Sequence, residues 1–213
     1  MPGKIPEIIW LYRIVFIDNL HYLLQHGMYH REHPKADPHY INIGDSDLII
    51  KRNDYPVGVV PPGETLGSYI PFYFGPLSPM LLNIKTGFRG IPKRPQNQIV
   101  YIVCNATDII KKCQEWCFTD GHAKTNITEF YNDMNDMREV DWDIVGEKYW
   151  HNTEEDFDKV RRKQAEFLVK TKVPVSCFAG IGVYNEEKRI LVQKMVDYLD
   201  LDIPVKIKSS FYY

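Results

Sequence analysis

Apolar positions along this chain recur with two periods, and the switches between them mark its elements. Trp10 to Ile17 is rich in β-branched and aromatic residues and predicts a strand. Asp18-Asn19 then offer an N-cap, Leu20, Leu23 and Leu24 follow helical spacing, and Gly27 is a C-terminal stop. Residues 30–68 lack periodicity and carry Pro34, Pro38, Pro56 and Pro61-Pro62-Gly63, which predicts a long loop. Loops of that length inside a compact domain are usually functional or mobile. Tyr69 to Phe74 predicts a strand entered at a proline, Met80 to Lys85 a short helix, and Ile99 to Cys104 a strand. Asn105 is expected to cap a helix through Lys112, followed by a strand over Trp116 to Thr119. Thr125 to Met137, Asp141 to Tyr149 and Glu154 to Lys163 read as helices, the last with acids early and bases late, as a helix dipole favours.

At Glu166-Phe-Leu-Val169 the period changes from helix to strand. A further strand over Ala179 to Tyr184, a helix over Glu186 to Tyr198 and a strand over Ile203 to Ile207 complete the order. Strands and helices do not alternate regularly, so an α+β fold is expected.

Size and composition add bounds. With 213 residues, against a prior of about 150 per domain, the chain reads as one domain over 1–213, with residues 1–9 a flexible N-terminus. Apolar residues make up 44% and charged residues 25%, and no window reaches the roughly 18 consecutive apolar residues of a membrane helix. The opening Met-Pro-Gly-Lys-Ile-Pro-Glu has no basic region followed by an apolar stretch, so a cytoplasmic location is expected. Cys104, Cys113, Cys117 and Cys177 contain only one close pair and read as buried thiols rather than a zinc set. Five of the seven histidines fall between His21 and His39, irregularly spaced in a proline-containing stretch, and read as a solvated loop. No metal is expected.

The net charge of −2 does not suggest a nucleic-acid binder, but its distribution changes the picture. From Thr65 to Thr107 there is no Asp or Glu, while Lys85, Arg89, Lys93 and Arg94 lie within, alongside Tyr69, Phe72, Tyr73, Phe74, Phe88 and Tyr101. Basic residues attract phosphates, and aromatic rings offer bases a stacking surface. The alternative is a core strand pair with a basic hairpin.

Glu166 opens an apolar strand directly after a basic helix end. From spacing alone it reads as a strand-end carboxylate paired with Arg161 or Lys163. There is no second carboxylate at a telling spacing, no nucleophile elbow and no glycine-rich phosphate loop.

Four stretches in order nevertheless resemble the DarT family of bacterial toxins. They are Tyr12-Arg13-Ile14 with Ile17-Asp18-Asn19-Leu20; Pro61-Pro62-Gly63 through Pro71-Phe72-Tyr73-Phe74 to Ser78-Pro79-Met80; Phe118-Thr119-Asp120-Gly121-His122; and Lys163-Gln164-Ala165-Glu166-Phe167-Leu168-Val169. The resemblance runs from Trp10 to Tyr213. It implies a single-domain ADP-ribosyltransferase fold with mixed central β-sheets, NAD⁺ as the ADP-ribose donor, a base of single-stranded DNA as acceptor (thymidine first, guanosine second) and a macrodomain antitoxin as partner. By position, Glu166 is implied as the catalytic glutamate, Arg52 as the second catalytic residue and His122 as the histidine near the reaction centre. Tyr12, Arg13, Tyr73 and Met80 are implied as contacts to NAD⁺, the last two at its nicotinamide end. Lys85, Arg89, Lys93 and Arg94 are the candidate nucleic-acid contacts.

The sequence departs from the family where Arg13 and Phe16 replace frequent histidines, and where Leu77 stands at an often basic position. Arg13 still suits a dinucleotide, because its fork of donors matches a pyrophosphate or a ribose. For His122 the alternative is a turn-stabilising hydrogen bond, and for Tyr73 and Met80 it is core packing. Two other readings of the whole chain remain: an enzyme acting on an RNA base, and a non-catalytic module that binds single-stranded nucleic acid.

Overall fold

The computed structural model describes residues 3–213. In chain order its elements are β1 (Trp10–Phe16), α1 (Leu20–His26), β2 (Met28–Tyr29), α2 (Ser46–Asn53), β3 (Tyr69–Tyr73), α3 (Pro79–Thr86), β4 (Ile99–Asn105) and α4 (Ala106–Lys112). There follow β5 (Trp116–Thr119), β6 (Phe130–Tyr131), α5 (Trp142–Gly146), α6 (Lys159–Arg162), β7 (Glu166–Lys170), β8 (Lys172–Val173), β9 (Phe178–Val183), α7 (Glu186–Tyr198) and β10 (Val205–Ile207). Eight strands form one sheet in the order β10-β9-β4-β1-β3-β7-β5-β6, and β2 pairs with β8. Among the described residues only β10 and β9 run parallel; the other pairs are antiparallel. This is the expected α+β architecture with mixed sheets.

The large sheet is nearly two sheets. β1 pairs with β4 along its whole length, from Trp10↔Asn105 to Phe16↔Ile99, and β3 pairs with β7 from Tyr69↔Lys170 to Tyr73↔Glu166. Between β1 and β3 only Tyr12↔Tyr73 is in register. Pro71 in β3 has no N–H to give to a ladder, and its carbonyl accepts from Arg13 Nη1 at 3.0 Å. The two halves therefore part beyond that single rung, and the gap becomes the cleft described below.

Strand alternation sorts β7 between cores. Phe167 and Val169 enter the main cluster with Leu11, Phe72, Val100 and Phe118. Leu168 faces the other way into a smaller cluster with Val57, Leu66, Tyr69, Cys117 and Ala123. Glu166 shares that second face and is buried. All four cysteines are buried free thiols.

Five local expectations differ from the structure. Residues 30–68 contain a helix: Asp45 accepts from the Leu48 N–H and starts α2, an N-cap signal hidden among prolines and histidines. Asn19 does not cap α1 through its side chain; its amide bonds the backbone of Ile41 in both directions, at 2.9 and 2.8 Å, tying the long loop to the start of α1. Thr125 to Met137 is not one helix, because Phe130-Tyr131 pair with β5 and Phe118 stacks on Tyr131; only a 3-10 turn over Met134–Glu139 follows. The helix expected to run to Tyr149 ends at Gly146. Of Glu154 to Lys163 only Lys159–Arg162 is helical, since Asp156 and Asp158 are drawn into ion pairs with Arg162 and Arg161. Residues 1–2 of the expected flexible terminus lie outside the described residues; Ile9, at its end, is buried and its carbonyl accepts from the Ala106 N–H.

Candidate active site

The parting of β1 and β3 leaves a cleft of about 500 Å³, within the range of small-molecule sites. Glu166 sits at one wall, where β7 begins. Its backbone N–H is held by Thr119 Oγ1 at 3.1 Å, and Thr119 Oγ1 itself donates to the Gly121 carbonyl at 2.6 Å. The start of β7 is thereby locked to the turn that follows β5.

Arg52 closes over this carboxylate from α2. Its Nη1 lies 2.9 Å from Glu166 Oε1 and its Nη2 2.8 Å from Oε2, a two-pronged pair between largely buried side chains. The Ala123 N–H adds a third bond to Oε1 at 3.1 Å. Burial pushes the Glu166 carboxyl up, but the Arg52 charge, its two hydrogen bonds, His122 and the Ala123 N–H outweigh it and hold the pKa below the ordinary value. The site thus keeps a fixed, ionised carboxylate in a poorly hydrated place. The partners expected from spacing alone are engaged elsewhere: Arg161 binds Asp120 and Asp158, while Lys163 Nζ donates to the carbonyls of Val145 and Glu147.

His122 lines the cleft beside this pair. Its Nδ1 accepts from the Lys124 N–H at 3.3 Å, which leaves Nε2 as the protonated nitrogen. Burial, with the charges of Arg52, Lys124 and Arg89, lowers its pKa against the opposing pull of Glu166, so the ring is neutral at pH 7 and offers a donor. Tyr73 also lines the cleft; burial and the Glu166 charge push its phenol up to about 12, so it stays protonated.

Arg13 and Met80 line the same cleft, as do Leu48 and Ile49 of α2 and His30 of the long loop. Tyr12 does not. Its ring packs edge-on to Phe211 and Tyr101, at ring distances of 5.4 and 6.4 Å, in the cluster formed with Ile14, Leu81 and Tyr212.

The four basic candidates separate into two places. Arg89 has a left-handed backbone conformation beside the exposed Phe88, and its charge is the smallest of those that lower the His122 pKa. Lys85, Lys93 and Arg94 line a different concavity with Pro95 and Gln96. There Lys85 Nζ bonds the Tyr213 carbonyl at 2.9 Å and Arg94 lies 4.6 Å over the Phe16 ring.

Spacing did not reveal Thr119, Ala123 or the arm that carries Arg52. The Thr119-Asp120-Gly121-His122 turn stood out in the sequence, but a backbone N–H has no side-chain signature, and Arg52 meets Glu166 across 114 positions.

A family model described as "ssDNA thymidine ADP-ribosyltransferase, DarT" matches residues 12–213. A protein of Escherichia coli O127:H6 named DNA ADP-ribosyl transferase is 36% identical over 208 residues, covering 98% of this chain and 95% of that protein. A solved structure of Thermus sp. 2.9 DarT in complex with ADP-ribosylated ssDNA superposes with a TM-score of 0.89 at 30% identity, covering 100% of both chains. The same Thermus protein in complex with NAD⁺ gives a TM-score of 0.84 at 29% identity, covering 99% of this chain and 100% of that one.

Proposed function

The chain belongs to the DarT family of ssDNA thymidine ADP-ribosyltransferases, and from that membership we propose how its own residues carry out the transfer. It is an NAD-dependent enzyme that moves ADP-ribose onto thymidine in single-stranded DNA and releases nicotinamide. The observation that carries the assignment of residues is the buried Arg52–Glu166 pair at the cleft wall, with the Ala123 N–H and the His122 ring beside it.

Breaking the bond between ribose C1′ and nicotinamide sends its electron pair to the ring nitrogen and leaves positive charge on the sugar. Glu166, held ionised, stabilises that charge electrostatically. The leaving group needs no proton, so one carboxylate suffices. The base nitrogen that attacks C1′ must lose its proton, and Glu166 is the group placed to receive it. Arg52 then faces the negative charge that develops on the base. His122 Nε2–H offers a neutral donor to a base carbonyl. Arg13, Tyr73 and Met80 hold NAD⁺, Tyr73 and Met80 at the nicotinamide end. A base inside a duplex cannot reach this cleft without unstacking, which favours a single strand.

We assign Arg89, whose charge reaches His122, to the strand near the reacting base, and Lys85, Lys93 and Arg94 to phosphates farther along it. Residues 1–213 act as one ADP-ribosyltransferase domain. A macrodomain antitoxin that removes the mark is the proposed partner, and the cytoplasm the proposed location; no helix among the described residues is long and apolar enough to cross a membrane. The direct test incubates the protein with labelled NAD⁺ and DNA or RNA strands of matching sequence. Label on DNA alone supports the reading, label on RNA alone turns it to the RNA-base alternative, and salt-sensitive binding without nicotinamide release turns it to a binding module.

A further inference from the structure

Arg161 lies on α6, outside the cleft, yet a dense set of bonds converges on it. Its Nε and Nη2 bind both oxygens of Asp158 at 2.8 and 2.7 Å, and its Nη1 reaches Asp120 Oδ2 at 2.9 Å and Thr128 Oγ1 at 3.2 Å. Its backbone carbonyl accepts from the His122 N–H at 3.0 Å. Thr128 Oγ1 in turn donates to the His122 carbonyl at 2.9 Å. The Arg161 side chain packs on Gly121, where an added Cβ would stand 2.3 Å from Nη1 and 2.8 Å from Cγ, so a larger residue there would displace it. Every residue of the turn from Asp120 to His122 is thus touched by Arg161, directly or through Thr128. The next residue, Ala123, gives its N–H to Glu166.

We propose that Arg161 is a positioning residue for the transfer: through the Asp120–Ala123 turn it sets the His122 ring and the Ala123 N–H against Glu166. It touches neither NAD⁺ nor the base. The inference rests on the assignment of Glu166 and His122 to the reaction.

Arg162 supplies the control. It is ion-paired with Asp141 and Asp156 and shares Asp158 with Arg161 at 3.6 Å, but it makes no bond to the Asp120–His122 turn itself. Arg161→Ala is expected to lower kcat on the order of a hundredfold, the scale of a 1 Å misplacement, with KM for NAD⁺ little changed. The acid limb of the rate profile should move up as Glu166 loses the Ala123 bond. The same substitution added to His122→Ala should cost several-fold less than it does alone. Arg162→Ala should lower the melting temperature without moving kcat or the pH profile. Should Arg161→Ala fail to fold, Thr128→Val removes one link of the same chain and should shift the acid limb in the same direction. Equal effects of Arg161→Ala and Arg162→Ala on kcat and pH profile, full additivity with His122→Ala, or an unmoved acid limb in Thr128→Val overturns the proposal. An active Glu166→Ala instead overturns the reading beneath it.

Discussion

Arg52 and Glu166, 114 positions apart, meet as a two-pronged ion pair at 2.9 and 2.8 Å across the wall of the cleft. The arginine comes from α2, which buries none of its residues, and the glutamate from the first position of a buried strand. A half-buried helix is thus joined to a buried strand by an ion pair.

Replacing Arg52 separates charge from geometry. Arg52→Ala leaves a buried carboxylate without its partner, which costs about 3 kcal/mol of stability and raises the Glu166 pKa. Arg52→Lys keeps a charge but not the fork, so it should melt higher than Arg52→Ala and still lose most transferase activity. Thermal melts and nicotinamide release measure both.

The pH dependence follows from two lowered pKa values. Glu166 contributes stability that is present above its unfolded value, 4.5, and is lost as pH falls through its lower folded value. His122 has the same sign, with stability present above 6.5 and lost as pH falls through its lowered pKa. Activity should therefore fall as pH drops through the carboxylate range and Glu166 takes up a proton. A rate profile on a thymidine-containing oligonucleotide, compared with His122→Ala, checks this.

Tyr73 separates stacking from acid–base chemistry. Because its phenol stays protonated up to about pH 12, Tyr73→Phe should leave the pH profile unchanged. Tyr73→Ala should raise KM for NAD⁺ about tenfold or more, matching a stacking contribution of about 1–3 kcal/mol.

Lys163 is buried, and burial pushes its pKa down to about 8 from 10.5. Its folded value is depressed, so the associated stability is present above 10.5 and lost as pH falls through about 8. Chemical denaturation of the parent against Lys163→Met should show a difference that changes across that window.

Much of this was legible in the sequence. Strands at Trp10, Ile99, Trp116 and Glu166, and the helix over Glu186 to Tyr198, emerged from local period and capping. The helix that delivers Arg52 did not, because its capping aspartate sits in a stretch dominated by breakers. Nor did Phe130-Tyr131, whose strand state depends on a partner eleven or more positions away. Spacing alone makes Glu166 a strand-end partner of Arg161 or Lys163; its actual partner, Arg52, is set by tertiary structure, to which spacing is blind. Tyr12 shows the converse, a residue inside a telling motif whose side chain faces the core.

The central claim is that Glu166 and its surroundings place ADP-ribose on thymidine. Mass spectrometry of nucleosides digested from a single-stranded oligonucleotide, reacted with NAD⁺ and either the parent protein or Glu166→Ala, tests it most directly. The account predicts ADP-ribosyl-thymidine with the parent and none with Glu166→Ala. An adduct on another base, or an equal adduct from the variant, would contradict it.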